Sequence, residues 1–359
     1  MDVSLFDFKL PQELIAQKPA RPRDSARLLH IPAGVDGFGD MIVRDLPQLL
    51  RAGDVLVFND TRVIPARLVG KRGDATNRGK PDGGAKVEVT LHQPVDAHTW
   101  RVFAKPAKKL NPRDYIVFAP GFAADCVGEG DMGERWLRFN VAGHELIEKL
   151  HAYGVMPLPP YIKRPDGGNP EDQDDYQTMF AVKDGAVAAP TAALHFTNYL
   201  LEAVRNAGAI DTRITLHVGA GTFLPVRVED TDDHVMHTER AMMSVDTATL
   251  LNKARSSGHR IIACGTTALR TLESAADDNG IFHQYNDNTD LFVTPGYKFK
   301  GIDALMTNFH LPSSTLFMLV SAIAGLDRMQ AAYAHAIENK YRFYSYGDAC
   351  FIERADILS

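Results

Sequence analysis

The chain has 359 residues, 45% hydrophobic and 23% charged, which is the composition of a globular protein with a sizeable core and room for two domains. A net charge of -6 excludes a wholly basic nucleic-acid binder, although not a local basic patch. Three widely spaced cysteines, Cys126, Cys264 and Cys350, form no C-x-x-C pair, which argues against a disulfide framework or a thiolate zinc site; they read as buried free thiols.

The N-terminus carries early acids and no long apolar region, so no signal peptide is expected. The longest apolar run, after Thr315, falls short of the roughly 20 residues that span a bilayer. A cytoplasmic protein is expected. Residues 11–15 open a short helix behind Pro11. Arg21, Arg23 and Arg27 follow in a Pro-punctuated loop that reads as solvated surface. Residues 53–58 form a short apolar run after a turn, hence a buried strand. It exits into Asn59, Asp60, Thr61 and Arg62. Such exits are where open α/β sheets place ligands, and an Asx turn is the competing reading.

Between residues 65 and 155 the texture changes to short alternating runs separated by Gly, Pro and Asp. That spacing indicates a small antiparallel barrel or sandwich inserted between 1–64 and 156–359. Its basic residues include Lys71, Arg72, Lys105, Lys108 and Lys109, which suit an RNA backbone or a plain solvated surface. Residues 70–85 read as a mobile loop and 143–153 as a helix; the Pro-rich stretch 156–165 reads as the return linker.

After Pro190 the α/β rhythm resumes. A helix is expected from a Thr191 cap to Asn206. A strand through Ile214, Leu216 and Val218 enters Gly219, Ala220, Gly221 and Thr222, where glycines allow close approach of backbone to a ligand. A second strand, 260–264, leads into Gly265, Thr266 and Thr267 and a helix carrying Arg270 and Glu273, a ready anion or ribose site. Further elements are a strand at 290–293, a helix at 328–341 and an aromatic tail with Tyr344, Tyr346 and Asp348. The stretch 304–325 combines a polar turn, Thr307 to His310, with a Ser313 or Ser314 cap and a helix apolar on nearly every side, which belongs in a core. Asn308 and His310 therefore meet a helix N-terminus suited to a polar or anionic ligand.

His234-x-x-His237-x-Glu239 is the only cluster with metal-like ligand types, and three nearby aspartates make a polar loop the stronger reading. No G-x-S-x-G elbow, no P-loop and no complete G-x-G-x-x-G fingerprint is present. What remains is a set of polar loops, each at the end of a buried strand, that a doubly wound sheet would bring into one crevice.

Together the segments FDFKLPQELIAQKP, GDVLVFNDTRVIPARL, APTAALHFT, HVGAGTFLPVR, HVMHTE, CGTTALRTLES, TPGYKFKGIDALMTNFHLPSSTLFMLVSA and YRFYSYGDA resemble the S-adenosylmethionine:tRNA ribosyltransferase-isomerase family of queuosine biosynthesis. The family usually has Gly where Ala193 stands and Met where Cys350 stands; the loop near 73–84 looks expanded. The resemblance implies a larger α/β domain with a mostly parallel sheet, interrupted by a small antiparallel β-barrel. It implies no metal and no separate cofactor, with S-adenosylmethionine consumed as a substrate by a monomer. It implies transfer of the ribosyl moiety to 7-aminomethyl-7-deazaguanine in the tRNA wobble position, giving epoxyqueuosine-tRNA, adenine and methionine.

On that reading His195, His217, His237, Glu239, Asn308 and His310 are candidates for proton transfer or orientation. Gly219, Gly221, Thr222, Gly265, Thr266 and Thr267 would cradle S-adenosylmethionine, with Asn59, Thr61, Arg62 and Asp348 as further binding candidates. Arg270 would hold a carboxylate, and Tyr344 or Tyr346 would face the sulfonium. Lys71, Arg72, Lys105, Lys108 and Lys109 would meet tRNA phosphates. The competing classes are a metal-dependent hydrolase built on His234, His237 and Glu239, and a non-catalytic RNA-binding protein using the barrel.

Overall fold

The structure is a computed structural model that describes residues 1–73, 84–130, 133–164, 168–219, 221, 226 and 228–355. Strands β1 (Arg27–Ile31) and β2 (Gly39–Ile42) precede the buried strand β3 (Val55–Asn59) and the short β4 (Thr61–Val63). Six strands follow: β5 (Arg67–Gly73), β6 (Lys86–Pro94), β7 (Thr99–Lys105), β8 (Tyr115–Ala119), β9 (Phe122–Glu129) and β10 (Glu134–Phe139). Helix α1 (Gly143–Tyr153) closes that block. The returning chain forms α2 (Asp172–Asp175), β11 (Lys183–Ala186), α3 (Asn198–Asn206), β12 (Ile210–His217), β13 (Glu239–Met243) and α4 (Val245–Ser256). It ends with β14 (Ile261–Cys264), α5 (Thr266–Ala275), β15 (Tyr285–Thr289), β16 (Ala304–Asn308), α6 (Thr315–Ala324), α7 (Leu326–Glu338) and β17 (Ala349–Glu353).

Alternation along the strands decides the layers. In β3, Val55 and Val57 enter one core with residues of α4, α5, α6 and α7, while Leu56 and Phe58 enter another with α3. The period of two puts each strand's side chains on both faces, so a run apolar at every position means helices on both sides. The main sheet has the order β15-β13-β12-β3-β14-β16-β17-β1-β2. Its centre, β12, β3, β14 and β16, is parallel, and antiparallel pairings flank it. The exits of β12, β3, β14 and β16 therefore open at one edge of the sheet. The antiparallel β17 begins there too, so Tyr344 to Asp348 join them.

The inserted strands close into a barrel in the order β10-β7-β6-β5-β8-β9. Val87, Val89 and Leu91 of β6 fill it, with Val102, Ile116, Phe122, Leu137 and Phe139, and Leu146 and Leu150 of α1 pack on the same core.

Two expected elements are corrected. The helix expected from Thr191 to Asn206 is a 3-10 turn at Thr191–His195 followed by α3, because the extended Thr197 restarts the helix by accepting the Leu200 N–H at 3.1 Å. Residues 290–293 form no strand. The strand is β15, a polar edge segment paired to β13, while Leu291, Phe292 and Val293 pack onto the main core as irregular chain. Helix α7 differs only at its ends, starting and stopping slightly before the expected 328–341, while the helix expected near 11–15 is a short 3-10 turn at Gln12–Leu14.

Candidate active site

A cavity of about 570 Å³ lies where β14 and β16 end, in the size range of small-molecule sites. The first turn of α5 supplies Gly265, Thr266 and Thr267; the exit of β16 supplies Asn308 and His310; Tyr161, Tyr176, Thr191, Tyr344 and Ser345 complete the wall. Among the described residues no charged side chain lines it.

Local sequence explains the walls. Gly265 stands at φ +100°, a conformation that L side chains rarely adopt, and caps α5 without a side-chain hydrogen bond. The first N–H groups of α5 are thus left facing the cavity, with the partial positive charge of the helix end. Thr267 Oγ1 is buried without a hydrogen-bond partner among the described residues. Helix α6 behaves differently: of the two candidate serines, Ser314 is the cap, its Oγ accepting the Phe317 N–H at 3.2 Å, and the uncapped helix end belongs to α5.

Asn308 is held from two sides. Its Oδ1 accepts the Thr191 hydroxyl at 2.9 Å, and its Nδ2 lies 3.2 Å from His195 Nε2, which accepts from it. His195 thus stands behind Asn308 rather than on the cavity wall. His310 Nε2 is 3.0 Å from Thr307 Oγ1, and its backbone N–H donates to the Tyr333 hydroxyl at 2.9 Å. Burial pushes the His195 imidazole down to about 4 and that of His310 to about 3, so both rings are neutral at pH 7. They act there as hydrogen-bonding groups.

Tyr344 lies at φ +72°, an uncommon backbone for a tyrosine, and its ring centroid is 4.5 Å from that of Tyr161. The Tyr161 hydroxyl bonds Ser345 Oγ at 2.7 Å. Burial raises both phenols to about 12, so they stay neutral and present π faces. Neither Tyr161 nor Tyr176 carried a motif signal; both precede the 3-10 turn in loops or short turns, where only the fold brings them to the cavity.

The remaining candidates occupy three neighbouring places. Asn59 is saturated by backbone, donating to Leu216 O and accepting from the Leu216 and Thr61 N–H groups, so it clips β3 to β12. Beside it Thr61 Oγ1 and His217 Nδ1 are 2.9 Å apart, and burial lowers the His217 pKa. Arg62 donates to Ala181 O on a more exposed flank. In the second place, buried Arg270 pairs with Glu239, whose other oxygen accepts the Gly219 N–H at 3.1 Å. Arg270 is therefore committed to a carboxylate of the chain itself. Gly221 packs on His237: a Cβ at Gly221 would lie 2.5 Å from that ring. With Glu239 turned to Arg270, the His234, His237 and Glu239 motif does not assemble as a ligand set, and no other such group occurs among the described residues. In the third, Asp348 accepts from the Arg27 and Arg342 N–H groups and locks the aromatic turn, while Tyr346 sits behind the wall against Tyr176. Thr222 lies outside the described residues.

The expected phosphate contacts share one end of the barrel. Lys71 lies opposite Lys86, and Lys105 opposite Glu88 two residues along. Arg72 reaches Asp114 at 3.5 Å, and Lys108 is exposed in the turn after β7. The side chain of Lys109 lies outside the described part.

A family model described as queuosine biosynthesis protein matches residues 3–352. The chain belongs to that family. A protein of Rhodospirillum rubrum named S-adenosylmethionine:tRNA ribosyltransferase-isomerase is 55% identical over 356 residues, 99% of either chain. One of the same name from Erythrobacter litoralis is 56% identical over 353 residues, 98% of either chain. The crystal structure of S-adenosylmethionine tRNA ribosyltransferase from Thermotoga maritima is similar at a TM-score of 0.55 and 32% identity, over 97% of this chain and 100% of that one. Ala193 is buried in the turn before His195, and Cys350 Sγ donates to Thr307 O at 3.5 Å, so both pack as small interior side chains.

Proposed function

We propose that the cavity between α5, α6 and the aromatic turn is where this S-adenosylmethionine:tRNA ribosyltransferase-isomerase holds S-adenosylmethionine. The enzyme is a transferase of queuosine biosynthesis. The carrying observation is a cavity that, among the described residues, has no charged side chain on its wall and still offers partners to a zwitterionic cation. The uncapped N-terminus of α5 suits the carboxylate, and the Tyr161 and Tyr344 faces suit the sulfonium.

The chemistry follows from the ligand. A sulfonium acidifies the adjacent ribose 5′ protons, so a positioned base removes one and the sulfur supports the carbanion. The ribosyl fragment joins the aminomethyl group of 7-aminomethyl-7-deazaguanine in the wobble position of tRNA. Adenine departs, an epoxide closes as methionine leaves, and epoxyqueuosine-tRNA results. Asn308, fixed by Thr191 and His195, and the neutral His310 orient the reactants in a site that keeps water out. S-adenosylmethionine is consumed and no separate cofactor takes part.

Residues 1–64 with 156–359 form the catalytic α/β domain in this reading, and 65–155 hold tRNA phosphates through Lys71, Lys105 and Lys108. The enzyme acts as a cytoplasmic monomer; among the described residues no helix is long and apolar enough to cross a membrane. Incubation with S-adenosylmethionine and precursor-bearing tRNA, with mass analysis of the nucleosides, tests the reading. Release of adenine with formation of the epoxide nucleoside is expected, and tRNA binding with no adenine release would reject it.

A further inference from the structure

Strand β6 sends Val87, Val89 and Leu91 into the barrel, and alternation then makes His92 an outward residue. The register with β7 slips at that point: Leu91 faces Val102 and Gln93 faces Arg101, leaving His92 as an extra residue. A bulge of this kind re-aims a side chain and is common beside active sites. Here it turns His92 out of the barrel and against the α/β domain, where it is 8% exposed.

Its neighbours there are unusual. The ring lies 5.7 Å from that of His237 at 84°, and 4.9 Å from that of Phe103 at a tilt of 34°. A Cβ at Gly219 would come within 3.1 Å of the His92 ring. The two glycines after β12 thus make room for two histidines, Gly219 for His92 of the barrel and Gly221 for His237 of the α/β domain. Val218, next to Gly219, lines the cavity assigned to S-adenosylmethionine.

Glu134 Oε1 is 3.7 Å from His92 Nε2, too long for a hydrogen bond, but its charge favours the tautomer with the proton on Nε2. Burial holds the imidazole down to about 4, so it is neutral. Nδ1 is then an acceptor with no hydrogen-bond partner among the described residues; it is enclosed against Gly219, so a donor from outside reaches it only when that contact opens. A buried acceptor left unpaired is costly, and the cost is recovered when a ligand brings a donor.

We propose that His92 is the barrel's contribution to the active site, a positioning residue whose Nδ1 accepts a hydrogen bond from an N–H donor of the tRNA base under modification. This rests on the activity proposed above. Lys86 and His92 are six residues apart on β6, about 20 Å along an extended strand. A nucleic-acid strand with its backbone on the basic barrel end can therefore present a base at the junction.

The test uses the full-length enzyme, precursor-bearing tRNA and separate variation of the two substrates. His92→Phe keeps a ring and loses the acceptor; His92→Asn places an amide oxygen where Nδ1 was. The expected result for His92→Phe is a KM for tRNA raised about tenfold, with S-adenosylmethionine affinity by calorimetry within about twofold of wild type. His92→Asn recovers most of the tRNA KM, and thermal melting confirms that both variants fold. A His92→Phe enzyme with wild-type tRNA KM overturns the proposal. So does His92→Asn no better than His92→Phe, or a loss confined to S-adenosylmethionine affinity. A wild-type enzyme that releases no adenine would instead remove the activity itself, and the proposal with it.

Discussion

Acidification should unfold this protein partly through its buried imidazoles, and His310 gives the cleanest case. Burial alone lowers its pKa to about 3, against about 6.5 for an ordinary histidine. The folded state thus binds the proton less well than the unfolded chain. The stability contribution is fully present above pH 6.5 and is lost as pH falls toward 3. Between pH 6.5 and 5 the unfolded ring takes up its proton while the folded one does not, which costs about 2 kcal/mol at pH 5. By pH 3 the loss is about 4 kcal/mol. His195, held down to about 4, adds about 2 kcal/mol of its own at pH 5. The pair therefore removes about 4 kcal/mol, a large share of the roughly 5–15 kcal/mol that holds a typical protein folded. Denaturant titrations at pH 7 and pH 5 measure this. His310→Gln cannot titrate, so its stability should fall about 2 kcal/mol less than wild type over that interval; with His195→Gln added, about 4 kcal/mol less. All other titrating groups are common to the proteins and cancel. Equal losses in wild type and both variants would refute the reasoning.

Other perturbations separate the parts of the site. Arg270→Met leaves buried Glu239 without its cation and should destabilise by about 3–5 kcal/mol; adding Glu239→Gln should recover part of that loss, and a double variant as unstable as the single would reject the pairing. Tyr344→Leu removes one π face and should weaken S-adenosylmethionine binding by about tenfold in calorimetry, whereas Tyr344→Phe should change it little. Exchanging Lys71, Lys105 and Lys108 together for Glu should lower tRNA affinity and reduce the slope of log affinity against log salt by about 2–3; an unaltered slope would exclude this end of the barrel as the phosphate contact.

Much of this was legible because buried strands and caps leave local marks. β3 and β14 are short apolar runs, Ser314 precedes an all-apolar helix, and Gly265 follows a strand, so the edge that gathers the loops could be inferred from spacing. What escaped notice depends on partners distant in sequence. β15 reads Tyr-Asn-Asp-Asn-Thr, and an edge strand half open to water carries no apolar signature; the apolar residues just after it drew the strand to the wrong place. Thr191 and Thr197 are equal as letters, and the backbone made Thr197 the cap. Arg270 looked like a ligand clamp because nothing local reveals that Glu239, on a different element, already claims it. The bulge at His92 is invisible without the register of β7.

On the proposed placement of the two ligands, the two halves of the protein would meet them by different physics. An ionised side chain inside the small cavity would carry a desolvation cost that a transient ligand cannot offset between turnovers. Fixed dipoles and aromatic faces avoid the cost, and the α5 N-terminus and the Tyr161 and Tyr344 rings are of this kind. Phosphates of a tRNA need mobile cations in water, and the lysines at the exposed end of the barrel are so placed. Between them lies the junction where His92 of one domain meets Gly219 and His237 of the other. On the proposed placement, a base at this junction would lie beside Val218, at the edge of the cavity assigned to the sulfonium.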